Sequence, residues 1–440
     1  MIKKIPVFIL LINILVIAQA PEIKFTEYDL PNGLHVILHQ DNSTPIVATT
    51  ITYHVGSKNE DPQRTGFAHF FEHLMFEGSE NIKRGQIDSL VQNAGGQLNA
   101  STSFDQTTYY LLLPSNQLEL ALWIESERLL HAKIDSVGVE TQRSVVKEER
   151  RQSIDNRPYG TLFEKVFATA FTKHPYNWTP IGSFQYIDQA SIEEFREFYK
   201  TYYVPQNAVL SIAGDIDIAQ TRALINKYFS EIPAGKKDIP RPRIVEPKRV
   251  KEVRDTVYDK IQLPAVVQAY HIPAQGTKDY YALNMLTTLL SSGQSSRFYK
   301  ALIDEKQIAL QTGSIPVSLE DPGLFICYAF AAAGKAPEES EAVINEQIKK
   351  VQDELITDEE FEKIRNQVER SFINEKSKVL GISQSLAEYY LFFKNTSLIN
   401  TELDKYMNVT KEDIRRVARE FLAPTNRIVL YYLPKSSQKN

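Results

Sequence analysis

The chain has 440 residues, enough for more than one folded domain. Its hydrophobic content of 42%, charged content of 24% and net charge of −5 place it among ordinary folded proteins. Charges of both signs are interspersed, without the long basic stripe of a nucleic-acid binder, so nucleic acid is excluded as a partner.

Residues 1–20 read as a targeting segment. Lys3 and Lys4 form a charged start, and Ile5 to Ile17 an apolar run too short to span a membrane comfortably. Ala18-Gln-Ala20 resembles a cleavage site, although Pro21 would follow the cut. Cleavage after Ala18 avoids that. A signal peptide of this kind predicts a periplasmic or secreted protein. The single cysteine, Cys327, has apolar neighbours and reads as a buried strand thiol without a catalytic role.

Glu27 to Leu38 alternates around Pro31-Asn-Gly33, a hairpin signal, and Ile46 to Val55 is a β-branched strand. His35, His39 and His54 read as strand-face histidines. Next, Phe67, Phe70, Phe71, Leu74 and Met75 recur at helical spacing between Gly66 and Gly78. Within this short helix, His69, Glu72 and His73 occupy i, i+3 and i+4 and share one face. Three polar groups on a nearly all-apolar helix cost about 1–3 kcal/mol each if unpaired. Two imidazoles one turn apart can grip a Zn²⁺ at about 2.0–2.1 Å. A carboxylate beside them can take a proton from water that the metal has made acidic. A hydrolytic zinc site also needs a third protein ligand, carried on another element, and an open position for water.

Arg84 to Ala94 is an amphipathic helix ended by Gly95-Gly96. Gln97 to Ser103 is a polar strand, and Thr107 to Leu113 a more apolar one. If the polar strand is a sheet edge, an extended peptide could add to it. Gln117 to Leu130 is a helix. Val139 to Ser153 is another, offering Glu140, Glu148 and Glu149. Glu148 and Glu149 lie about 100° apart around the axis, so at most one faces a metal. Tyr159 to Phe171 is helical, and Ser191-Ile-Glu-Glu opens a further helix with a capping box.

The segment Ser191 to Leu210 then repeats. Ser191, Pro205 and Asn207 match Thr410, Pro424 and Asn426 at a constant offset of 219. Each block reads helix, Pro-Asn turn, strand, which predicts two α+β domains of similar fold. The boundaries expected are 21–235 and 255–440, joined by a Pro/Lys/Arg-rich linker at 236–254. The second half carries no metal motif. Helix Tyr280 to Leu290 has no His or Glu, and the charges of helix Thr357 to Ser377 read as a solvated face. Ser291 to Arg297 is a Gly/Ser loop without the Lys-Ser/Thr pair of a phosphate loop.

The stretches Val55 to Glu60 and Thr65 to Ser79 resemble the signature region of the pitrilysin-like inverzincin metallopeptidases, which include the mitochondrial processing peptidases and insulysin. Gly95 to Tyr110, His174-Pro-Tyr, Pro180-Ile-Gly182 and Tyr203 to Asp215 resemble further blocks of that family, in its order. The resemblance implies two domains, each a mostly antiparallel sheet covered by helices, enclosing a cavity. It implies zinc held by His69 and His73, with Glu72 as general base of a peptidase. Arg143-Ser-Val-Val-Lys-Glu-Glu149 matches the third-ligand block, which selects Glu149. The family often has another Glu where this chain has Gln142. Asn99 and Ala100 fall at the substrate-strand positions. The family's active single chains carry an Arg and a Tyr in the second domain. Here Ile303 and Leu310 fall at those places and neither can donate. The expected partner is therefore a second family subunit carrying that pair, with a homodimer as the alternative. A non-catalytic scaffold subunit retaining a structural zinc site is the competing reading.

Overall fold

The computed structural model describes residues 22–236 and 238–438. The targeting segment expected at residues 1–20 lies outside the described residues. Among the described residues, eleven strands build two sheets. β1 (Thr26–Asp29), β2 (His35–Gln40), β3 (Ile46–Tyr53), β4 (Gln97–Thr102), β5 (Thr107–Pro114) and β6 (Ala208–Gly214) form the first, in the order β1-β2-β6-β3-β5-β4. β7 (Val253–Asp259), β8 (Ala265–His271), β9 (Ala309–Val317), β10 (Leu324–Ala331) and β11 (Arg427–Pro434) form the second, in the order β7-β11-β8-β10-β9.

The two orders are one order, with β1 added to the first. β2 pairs parallel with β6 and β7 with β11. Every other pairing is antiparallel. The repeat read in the sequence is thus the end of a duplicated α+β domain. Ser191 and Thr410 both close capping boxes. Asn207 then donates to the Tyr202 and His54 carbonyls at 2.8 and 3.3 Å. Asn426 donates to the Phe421 and His271 carbonyls at 2.8 and 2.9 Å. In each half one side-chain amide fastens the end of a helix to the strand that follows it.

The central strands are buried on both faces, which is why β6 reads as a continuous apolar run. One face of each sheet packs on helices of its own half. The other face is covered from the opposite half. Helix Leu162–Ala170 lays Leu162, Val166, Phe167 and Ala170 against Ala265, Val267 and Leu430 of the second sheet. Helix Val379–Phe393 lays Ile382, Leu386 and Leu391 against Ile37, Val209 and Ala213 of the first. The repeat offset carries the first of these helices onto the second, so the exchange is itself symmetric.

The segment expected as a linker at 236–254 carries no helix or strand among its described residues up to Glu252, gives its last two residues to β7, and is not a loose tether. Glu246 accepts from the backbone N–H groups of Thr172, Lys173 and His174 at 2.8–2.9 Å. Arg249 donates to the carbonyls of Thr169 and Ala170 at 3.2 and 3.1 Å.

Several expected boundaries shift. β3 ends at Tyr53, and His54 turns out of the strand to meet Glu320 at 3.0 Å. The helix expected from Tyr159 begins at Leu162. Tyr159 adopts φ 58°, with its N–H on Asp259 and its hydroxyl on the Leu263 carbonyl of the other half. Tertiary anchoring overrides helix propensity there. The helix expected at 139–153 runs Ser136–Arg150, started by Asp135 capping Gly138 at 2.8 Å, and relaxes into a π-turn over Arg151–Asp155. Cys327 lies buried in β10 as expected.

The β4–β5 turn and the loop between β9 and β10 are equivalent hairpin ends, and they meet. Lys58, 4% exposed, sits between them. Its ammonium lies 2.9 Å from Asp105, 2.5 Å from Glu320 and 3.0 Å from Asp321. The Asp105 carboxylate also accepts from Tyr176 OH at 2.7 Å and from the Glu320 N–H at 3.0 Å. Burial opposes ionisation of Glu320, but His54 and Lys58 outweigh it and hold the carboxyl at about 2.

Removing one partner from such a buried cluster leaves uncompensated charge. Lys58→Ala is expected to destabilise the fold by about 3–5 kcal/mol, read as a lower urea midpoint. The Glu320 carboxyl titrates near its ordinary value of 4.5 when unfolded and at about 2 when folded. Its contribution is therefore full above pH 4.5 and is lost as pH falls toward 2. The difference in Tm between the parent chain and Glu320→Gln should shrink across that window.

Candidate metal centre

The helix bearing the H-x-x-E-H motif spans Phe67–Leu74. Phe67, Phe70, Phe71 and Leu74 are buried, and Phe67 and Phe70 stack on Phe195 with centroids 4.7 and 4.5 Å apart. That packing turns His69, Glu72 and His73 to the opposite face, where all three are half-buried.

The helix starts at Gly66, at φ 99°, which has no side chain to cap the first N–H groups. Glu60 does this instead. Its carboxylate, 7% exposed, accepts from Gly66 N–H at 3.0 Å, Ala68 N–H at 2.8 Å and the Trp178 indole at 3.0 Å. Burial raises the Glu60 carboxyl, and the N–H donors, with the helix dipole behind them, oppose that rise. Gly66 itself packs against the backbone of Gly182. A Cβ on Gly182 would fall 2.3 Å from the Gly66 Cα.

Three ligand atoms converge. His69 Nε2 and His73 Nε2 lie 3.3 Å apart, and Glu149 Oε2 lies 3.6 and 3.1 Å from them. Tetrahedral donors at zinc bond lengths are about 3.3 Å apart, so the residues present fit such an ion. Of the alternatives left open by spacing, Glu149 is the one turned to the histidines. Glu148 faces outward, bonded to Arg151 and Gln152 at 3.3 and 2.9 Å. Arg150 pins the Glu149 helix through Glu164 at 2.5 Å and the Gly182 carbonyl at 2.7 Å.

Burial, reinforced by His73, pushes His69 down to about 4, so its imidazole is neutral with a free lone pair near pH 7. The hydrogen bond from His73 holds the Glu149 carboxyl below its ordinary value, against the opposing effect of burial. Burial raises Glu72, and a hydrogen bond from Thr102 lowers it. Thr102 Oγ1 donates to Glu72 Oε2 at 2.6 Å. The Nδ1 of His69 is buried without a hydrogen-bond partner among the described residues.

β4 is an edge strand paired only with β5, and the side chains of Gln97, Asn99 and Ser101 face outward. The Ala100 N–H donates to Asn99 Oδ1 at 2.9 Å. Gln142 lies away from the three ligand atoms, donating to Glu77 at 2.5 Å, and Glu77 also pairs with Arg84. Ile303 packs against the second core, while Leu310 in β9 is 63% exposed. Glu60, Thr102 and Glu77 were not singled out by sequence. Glu60 and Thr102 stand near the motif, but no spacing rule marks them.

A duplicated α+β fold with an inverted H-x-x-E-H helix in its first half defines the class of two-domain metallopeptidase-like proteins. The chain belongs to peptidase family M16. Residues 35–182 match the family described as insulinase (peptidase family M16), and residues 189–368 match its "Peptidase M16 inactive domain". The chain is 31% identical over 423 residues to a zinc protease PqqE of Helicobacter pylori, covering 95% of this chain and 94% of that one. A crystal structure of a protease from Helicobacter pylori matches with TM-score 0.90 and 30% identity, covering 94% of this chain and all of that one. A probable mitochondrial-processing peptidase subunit beta of Arabidopsis thaliana is 25% identical over 421 residues, covering 92% of this chain and 77% of that protein.

Deleting the Glu60 carboxylate orphans the buried Gly66 and Ala68 N–H groups, at about 1–3 kcal/mol each, while the Trp178 indole keeps the Ser57 carbonyl at 3.0 Å. Glu60→Ala is expected to lower the denaturation midpoint and weaken metal retention together. Glu148→Ala should leave both unchanged.

Proposed function

We propose that the chain is a zinc-dependent endopeptidase acting on unfolded peptides. The observation that carries the reading is the convergence of His69, His73 and Glu149 at ligand spacing, with Glu72 beside them on the same helix face. His69, His73 and Glu149 would hold one Zn²⁺. When bound, the ion acidifies water and polarises a carbonyl. Glu72 takes the proton from the attacking water as it adds to the peptide carbonyl. It then returns that proton to the leaving amine. The substrate lies along the free edge of β4 at Asn99 and Ala100, where strand addition supplies main-chain hydrogen bonds without reading most side chains.

The developing oxyanion needs a donor that neither Ile303 nor Leu310 provides. A second family subunit bearing an Arg/Tyr pair would complete the site, as would another copy of this chain using different donors. The charged start and apolar run of residues 1–20 support export to the periplasm or beyond. Among the described residues no helix is long and apolar enough to cross a membrane. The units are residues 21–235 and 255–440, with 236–254 between them, except that β7 opens the second unit's sheet at Val253.

The test pairs metal analysis with cleavage of quenched-fluorescent peptides by the chain lacking residues 1–20, alone and with a co-expressed family subunit. One zinc per chain and chelator-sensitive cleavage support the reading. Glu72→Gln is expected to keep its zinc and lose at least about 100-fold in kcat. Zinc without cleavage in any pairing would leave a scaffold with a structural metal. Absence of zinc would overturn the metal assignment.

A further inference from the structure

Thr102 closes β4, the strand whose free edge is open to a peptide. Leu98, Ala100 and Thr102 share its inner face, and Leu98 and Ala100 pack there against the first core. A hydroxyl is the exception on that face. Its oxygen has two polar neighbours, Glu72 Oε2 at 2.6 Å and Thr107 Oγ1 at 3.5 Å. The Thr107 hydroxyl spends its own proton on the Val55 carbonyl at 2.9 Å. A carboxylate can only accept, and it stands much nearer than the Thr107 hydroxyl, so the Thr102 proton goes to Glu72. A length of 2.6 Å is that of a charge-assisted O–H···O⁻ bond.

We infer that Thr102 is the positioning residue for Glu72, its hydroxyl holding one carboxylate oxygen so that the other faces the reacting water. The inference rests on Glu72 acting as the base. A free glutamate turns about three side-chain bonds, and a base one ångström out of place loses much of its rate. Thr102 removes that freedom, and it does so from the peptide-receiving strand. Asp105, three residues on, is gripped by Lys58 and Tyr176 of its own half and by the Glu320 N–H of the other, so the end of β4 that carries Thr102 is fixed from both halves. Binding the substrate and aiming the base thus depend on the same six-residue strand.

The test uses Thr102→Val, which keeps the shape and removes the hydroxyl, and Thr102→Ser, which keeps the hydroxyl, in the full mature chain under its active subunit composition. Thr102→Val is expected to retain zinc and KM and to lose about 10- to 100-fold in kcat, with Thr102→Ser restoring most of it. In crystal structures of the three proteins, the Glu72 carboxylate should be bonded to residue 102 in the parent and in Thr102→Ser, and displaced or split between rotamers in Thr102→Val. An unmoved Glu72 in Thr102→Val would overturn the inference. So would parental kcat in that variant, a loss confined to KM or zinc content, or a Thr102→Ser as slow as Thr102→Val. Glu72→Gln serves as the control. If it keeps full activity, the base reading fails, and the crystal structures still decide whether Thr102 holds Glu72.

Discussion

Both sheets have two faces to cover, and neither half covers both of its own. Each lends one helix across the junction, Leu162–Ala170 outward to the second sheet and Val379–Phe393 back to the first. Apolar strands buried on both faces cannot be left half-covered in water, so this exchange fixes how the halves sit. The other junction features follow from it. The two equivalent hairpin ends are brought face to face around Lys58. The segment between the halves is fastened at the end of helix 162–170, by Arg249 to its last carbonyls and by Glu246 to the N–H groups of residues 172–174. The candidate metal-binding face lies on a helix packed within this framework.

The candidate centre is organised by the same economy of contacts. Its helix has only eight residues, too short to be stable alone. A phenylalanine stack holds one side, Glu60 holds the N-terminus, and Gly66 lies against Gly182. Gly182 in turn offers its carbonyl to Arg150, next to Glu149. The two helices that supply the three ligand atoms therefore share one backbone anchor. The 3.1–3.6 Å spacing among those atoms is a product of this scaffold.

Much of this was legible in the sequence, for definite reasons. Helical periodicity put His69, Glu72 and His73 on one face because that inference needs only the 3.6-residue turn. The repeat was legible because capping and turn residues serve local backbone needs that recur wherever the fold recurs. Choosing Glu149 over Glu148 was beyond spacing, since both stand on the same helix and only packing selects a face. Glu60 and Lys58 fell within the signature stretch, but their roles were not legible. Both lie in a polar stretch that looks solvent-facing, and both are buried by partners as distant in sequence as Trp178 and Glu320. Tyr159 misled because its left-handed backbone is enforced by Asp259 and Leu263, on the other side of the molecule.

The asparagine pair Asn207 and Asn426 has a consequence for how the two halves have aged. Each amide joins a helix end to the neighbouring strand, a task unrelated to chemistry at the centre. The first half has a His-Glu-His face and the second has none, yet both retain this fastening with the same two kinds of acceptor. Twin domains are free to diverge in the side chains that meet a substrate. They are held to a common ancestor where a side chain completes the main chain. An amide that completes the main chain therefore keeps the mark of a duplication after the residues that face a substrate have lost it.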